Sequence, residues 1–318
     1  MSAAHRRRPP AAALVLSFAT LAGAALPAAA AARPVAAALE AERASVNRWR
    51  MERVESLTGD DGWLTLAGLY WLKQGDNSFG RAPGNSLVLD NAALPDTAGK
   101  FVLSGQKVRF IAHPGAHVTH DGAPVTALEM TPDSAGQPTT LASGPLRFFV
   151  IERAGNLGVR VRDLDSPHRL QFLGLSYFPV STAWAIEARF EPYRPARHIK
   201  IMNILGMEQD MESPGAVVFT KGGHEWRLDA VFEQPGDQEL FIMFADATSG
   251  HETYGAGRFL RTPLPQDGRV RVDFNEAYNP PCALNDFATC PLPPWQNRLK
   301  LRVEAGERTY AGAPAHHL

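Results

Sequence analysis

Between Asp246 and Tyr278 the chain gathers the side chains best suited to chemistry. Asp246, Thr248, Ser249, Glu252, Tyr254 and Arg258 lie in FADATSGHETYGAGRF, and Asp273 and Tyr278 in RVDFNEAYNPP. Val270, Val272 and Phe274 alternate with Arg271, Asp273 and Asn275, so a strand of period two projects the polar set from the face opposite the core. Asp273 then borders the turn at Tyr278-Asn279-Pro280-Pro281, and Gly255 and Gly257 let backbone approach closely. The expected pocket is Glu252, Tyr254, Arg258, Asp273 and Tyr278. Two chemistries suit it. A guanidinium among carboxylates can hold a small carboxylate or phosphate bidentately, and an acid pair, Glu252 with Asp273, can divide general acid and base work in a hydrolase. The same residues can instead staple long loops, which must satisfy their own backbone groups.

Cys282 and Cys290 are the only cysteines, eight positions apart in the proline-bounded loop PPCALNDFATCPLPP. In an exported protein that arrangement reads as a disulfide. Closing so short a loop contributes roughly 2–3 kcal/mol in the chain-entropy model, enough to pin the loop rather than the fold. His224 and His251 do not stand at metal-ligand spacing from the cysteines, and His113, His117 and His120 read as a solvated turn segment. Gly255-Ala256-Gly257 lacks the third glycine and the strand-to-helix setting of a dinucleotide fingerprint. The chain has no G-x-S-x-G elbow, phosphate-binding P-loop or H-E-x-x-H, and no metal or cofactor is expected.

The elements that must position these residues are mostly strands. One amphipathic helix is expected over 36–57, with Leu39, Val46, Trp49, Arg50, Val54 and Leu57 recurring at three- and four-residue steps and Glu40, Glu42, Arg43, Asn47 and Glu55 on the other face. The aromatic run from Gly62 to Leu72 has a periodicity that suits strand or helix, and Trp63, Tyr70 and Trp71 read as core. Short strands follow at 107–112, 146–151 and 158–163, the last setting Val159 and Val161 opposite Arg160 and Arg162. Asp121-Gly122, Pro132-Asp133, Ala135-Gly136 and Ala154-Gly155-Asn156 supply the turns. Beyond a composition shift at Phe178-Pro179-Val180-Ser181-Thr182, further strands are expected at 184–190, 198–204, 216–220, 224–232, 240–244, 270–274 and 299–304. No second long amphipathic helix serves as a crossover, which excludes doubly wound folds. The expected fold is mainly β: two packed antiparallel modules, sandwich- or barrel-like, over 61–180 and 181–311, behind a helical segment at 33–60.

At 318 residues, 45% hydrophobic and 20% charged, the chain can bury a sizeable core. A net charge of −1 offers no basic field to gather nucleic acid. The amino terminus reads as a signal peptide over 1–32: Arg6, Arg7 and Arg8 precede an apolar run from Ala11 to Leu26, with small residues for cleavage near Ala30–Ala32. That run is short for a bilayer needing roughly 20 apolar residues. Cleavage would leave a periplasmic or secreted protein with no membrane span, by an export route that the arginine pair leaves open.

Two resemblances add to this. Residues 75–89, GDNSFGRAPGNSLVL, with Gly80-Arg81 and the later HDGAPV at 120–125, resemble the opening of a forkhead-associated domain, which implies a β-sandwich over about 77–163. Phosphopeptide binding is not implied, because 94–101 carries neither the serine nor the histidine pattern. The strings GWLTLAGLYWL, GVRVRD, TYGAGRF, DFNEAYNPPC and ATCPLPP resemble, in order from about Arg50 to Tyr310, the bacterial family called domain of unknown function 1684. That resemblance implies no particular activity. Three functions stay open: binding of a small polar or anionic molecule at the carboxy-terminal loops, a hydrolase, or a structural envelope protein. The last is expected to lack an enclosed polar cavity and to expose a large apolar patch.

Overall fold

The structure is a computed structural model that describes residues 28–312. The expected signal segment lies outside the described residues as far as 27, and residues 28–32 begin helix α1 (Ala28–Thr58). The packing stripe of α1 runs through Glu42, Val46, Trp49, Arg53 and Leu57, at three- and four-residue steps. Val46 and Leu57 are fully buried. Glu42, expected on the solvent face, belongs to this stripe because Arg271 donates to its carboxylate at 2.7 Å. The helix ends against Gly62, where a Cβ would stand 2.1 Å from the carbonyl oxygen of Leu57, so any larger residue would push the helix end away.

Eleven strands then build a sandwich: β1 (Leu66–Trp71), β2 (Gly75–Gly80), β3 (Leu87–Val88), β4 (Gly99–Ser104), β5 (Lys107–Ala112), β6 (Thr119–His120), β7 (Ala123–Pro124), β8 (Ala127–Met130), β9 (Thr140–Ser143), β10 (Leu146–Arg153) and β11 (Asn156–Asp163). One sheet has the order β1-β11-β10-β9-β6-β7 and the other β3-β2-β4-β5-β8. All pairings are antiparallel except β2 with β3. Phe79, Phe101, Phe110 and Phe148 meet between the sheets with ring centroids 5.0–6.3 Å apart. Val159 and Val161 join this core, as their alternation requires, and Arg160 and Arg162 leave from the opposite face. The run from Gly62 resolves into a single 3₁₀ turn at Trp63–Thr65 followed by β1.

After the short helix α2 (Pro167–Leu170), six strands complete the fold: β12 (Ala185–Met202), β13 (Glu208–Lys221), β14 (His224–Ala230), β15 (Glu239–Phe244), β16 (Arg258–Pro263) and β17 (Arg269–Asp273). Four form a sheet of order β14-β13-β12-β17, and β15 pairs with β16. Phe274 sits at the centre of their core, 5.4–5.8 Å from the rings of Trp184, Phe219 and Phe244. Two expected strands, 184–190 and 198–204, are one strand, β12, whose register shifts between Pro192 and Arg197. The expected strand at 299–304 does not form. Its backbone runs beside the end of β15 through Leu299 N–H to Ala245 O and Ala247 N–H to Leu301 O, and the carbonyl of Val303 goes to a buried guanidinium. Among the described residues no helix is long and apolar enough to cross a membrane.

Candidate functional site: a cleft between helix, sandwich and carboxy-terminal sheets

The five residues expected to form one pocket are divided among separate networks. Arg258 is 0% exposed and donates to Asp246 at 3.2 Å, to the carbonyls of Val303 at 2.9 Å and Glu307 at 3.3 Å, and to that of Ala305. It fastens the carboxy-terminal segment and has no face for a ligand. The reason lies in Asp246, which also accepts from Val303 N–H at 2.7 Å, so carboxylate and guanidinium together replace a missing strand partner. Glu252 pairs with Arg302 at the surface. Asp273 caps the turn at Phe274–Glu276 by accepting from Asn275 N–H at 3.0 Å and takes a contact from Arg271 at 3.0 Å. Among the described residues Glu252 and Asp273 share no partner and do not form an acid pair. Gly257 has a φ of +97° and a Cβ there would meet the Phe244 carbonyl, whereas Gly255 has no such close neighbour.

Tyr254 is buried, and burial, reinforced by Cys282, pushes its phenol pKa far up. Its hydroxyl donates to Cys282 Sγ at 3.6 Å. The cysteines are free thiols, both buried, with Cys282 N–H donating to Cys290 Sγ at 3.1 Å. The expected disulfide is therefore not formed in this structure, although the two side chains are neighbours. The Cys290 hydrogen bond lowers the pKa of the Cys282 thiol, and burial raises that of Cys290.

Of the five, Tyr278 alone lines a cleft of about 830 Å³. Three parts of the chain enclose it. Helix α1 contributes Trp49, Glu52 and Arg53; the sandwich contributes Asp133, Ser134, Glu152 and Arg153; the carboxy-terminal sheets contribute Phe241, Phe259 and Arg261. Thr289 and Cys290 close one wall beside Trp63.

Its aromatic wall is continuous. Phe241 and Phe259 meet edge to face at 4.9 Å and Phe259 and Tyr278 at 5.9 Å, and the rings of Tyr278 and Trp49 are tilted with centroids 6.4 Å apart. Arg53 lies over the Tyr278 ring at 4.6 Å and Arg261 over Phe241 at 5.1 Å. Arg261 is paired with Glu233. The sandwich lip is rigid: Arg153 grips Asp133 with bonds of 3.0 and 2.8 Å, and Ser134 donates to Glu152 at 2.5 Å.

Behind Thr289 lies Arg160, buried and with no carboxylate partner among the described residues. It has only long bonds, 3.3 Å to Thr289 Oγ1 and 3.5 Å to the Phe287 carbonyl, and its Nε has none. Burial, with repulsion from Arg153, brings its pKa down to about 9. A cation so placed favours negative charge nearby. The alternation of Val159 and Val161 already exposed this arginine as facing away from the sandwich core. Nothing local in the sequence tells that the face is covered by 287–289. Trp63 belongs to the cleft, whereas Tyr70 donates to the Val88 carbonyl at 2.6 Å and Trp71 packs on Gly158, both as structure.

These features define a β-rich protein whose α1 and two sets of sheets enclose an aromatic, arginine-bearing cleft. The chain belongs to the family described as Protein of unknown function (DUF1684), whose profile matches residues 170–308. It is similar to the solution NMR structure of an uncharacterized protein of Haloarcula marismortui, at 31% identity over 44% of this chain and 79% of that one, with a TM-score of 0.38. Two forkhead-associated domain structures, one from work on phosphothreonine-dependent interactions and one of the FhaA domain in a complex, match at 15% identity and a TM-score of 0.21. Each covers 30% of this chain, and 92% and 97% of their own. No curated protein matches the sequence.

Proposed function

We propose that the protein binds a small ligand in the cleft, one with a flat apolar body and a polar or anionic group. The observation that carries this reading is the ring wall Phe241, Phe259, Tyr278 and Trp49, overlaid by the guanidinium groups of Arg53 and Arg261. A cavity of about 830 Å³ is in the range that takes a metabolite-sized molecule. Ring faces suit a planar body, and guanidinium N–H groups not engaged by protein remain for a carboxylate or phosphate. A purely structural envelope protein is expected to lack such a cavity, so the cleft favours binding over that alternative. Turnover by Glu252 and Asp273 is not part of this reading, because they answer to different partners.

Titration of small aromatic and aliphatic carboxylates and phosphates, followed by tryptophan emission, tests it. The expected result is a saturable change that disappears when Trp49 and Trp63 are both replaced by phenylalanine. A flat emission profile across the panel counts against the reading.

Export to the periplasm or beyond, with a Cys282–Cys290 disulfide formed there, belongs to the same proposal. The adjacency of the two thiols supports it. On oxidation they would give two protons and two electrons to a disulfide-bearing oxidant of that compartment. Mass spectrometry of exported protein without reductant should find the chain beginning near residue 33 and two hydrogens lighter than its reduced form. An unprocessed or fully reduced chain would refute this part.

A further inference from the structure

A second pocket, of about 270 Å³, lies apart from the cleft and shares none of its lining residues. It is formed by Tyr193, Arg197, Arg227, Asp229, Trp295 and Gln296. Trp295 is 83% exposed. Its exposure is held in place. Pro293 and Pro294 lead into the 3₁₀ turn Trp295–Asn297, and the fully buried Asn297 donates to the carbonyls of Asp229 and Met243 at 2.8 Å while accepting from Asp229 N–H at 2.8 Å. The ring is presented to solvent from a rigid mount.

Opposite the indole the polar groups are organised as a unit. Asp229 accepts from the Tyr193 hydroxyl at 2.6 Å and from Gln296 Nε2 at 2.9 Å, and Arg227 donates to the Tyr193 oxygen at 2.9 Å. Each carboxylate oxygen of Asp229 keeps a second lone-pair site. Arg227 is neutralised by Glu191. Arg197 is not: its guanidinium lies 3.9 Å over the Tyr193 ring and has no carboxylate partner among the described residues.

We propose that this pocket binds an acidic pyranose unit of a saccharide. The volume is below that of drug-sized sites and suits one sugar ring. An exposed flat indole matches the C–H face of a pyranose, planar side chains fixed by one another match its hydroxyls, and the uncommitted Arg197 matches a ring carboxylate. A phosphate would call for more than one free cation, and an apolar side chain would cover the remaining lone-pair sites of Asp229 without supplying a donor.

Isothermal titration of the full chain with trigalacturonic, triglucuronic and trimannuronic acids tests the assignment, with maltotriose and adenosine monophosphate as comparators. At least one acidic trisaccharide should bind, and Trp295→Ala and Arg197→Ala should each weaken it by about tenfold or more, with Trp49→Ala in the cleft leaving it unchanged. Both pocket residues are at the surface, so circular dichroism should be unaltered. Absence of binding by all three acids, equal or tighter binding of maltotriose or the nucleotide, or affinity unmoved in both pocket variants would overturn the assignment.

Discussion

Arg53 on α1 places its Nε 3.0 Å from Oε1 of Glu307, a carboxylate that is 0% exposed and lies 254 residues further along the chain. The other carboxylate oxygen of Glu307 accepts from Asn279 N–H at 2.7 Å, beside Tyr278 in the cleft wall. One ion pair thus joins the helix, the carboxy-terminal segment and the aromatic wall.

Removing one partner of such a pair leaves the other charge buried and alone. Arg53→Ala should lower stability by about 3–5 kcal/mol, and Arg53→Lys by less, in urea unfolding. A loss of under about 0.5 kcal/mol would mean that α1 is not held this way.

Arg258→Met should behave as a structural lesion. It removes the donors for Asp246 and three carbonyls, and a loss of about 3 kcal/mol or more is expected in urea unfolding, with the carboxy-terminal segment first to exchange its amide hydrogens. Stability unchanged in this variant would return Arg258 to the list of ligand-binding candidates.

Gly62→Ala should also destabilise, by about 1–3 kcal/mol, because its Cβ would overlap the Leu57 carbonyl at the end of α1. Thermal unfolding checks this directly. A neutral result would show that the helix end can move away without loss.

Much of the fold is legible because strands with one buried face alternate. Lys107–Ala112 and the faces of Val270, Val272 and Phe274 are of this kind. Legibility ends where burial depends on distant segments. Arg258 reads as a pocket residue and Glu42 as one of the solvent face, yet their partners Asp246, Val303 and Arg271 come from other elements. The cleft is equally hidden: Trp49, Arg153 and Phe259 come from a helix, a sandwich hairpin and a sheet, and no local spacing joins them. Tyr278 could be found because it follows a legible strand.

Glu276 supplies a pH test. Burial, and then the nearby Asp273, raise its carboxyl from the ordinary 4.5 to about 7 in the folded protein. Folded protein then holds a proton that the unfolded chain has lost, so its contribution is fully present below about 4.5 and declines as pH rises through about 7. Wild-type stability should fall more steeply over that interval than that of Glu276→Gln, read from urea midpoints at each pH. Parallel profiles would show that Glu276 ionises normally.

The most direct test of the binding cleft is a thermal-shift screen of small carboxylates and phosphates, aromatic and aliphatic, run side by side on wild type and on Trp49→Ala/Arg261→Ala. Binding in the cleft predicts compounds that raise the wild-type melting temperature and leave that of the double variant unmoved. Compounds that stabilise both proteins equally, or none that stabilise the wild type, would contradict it.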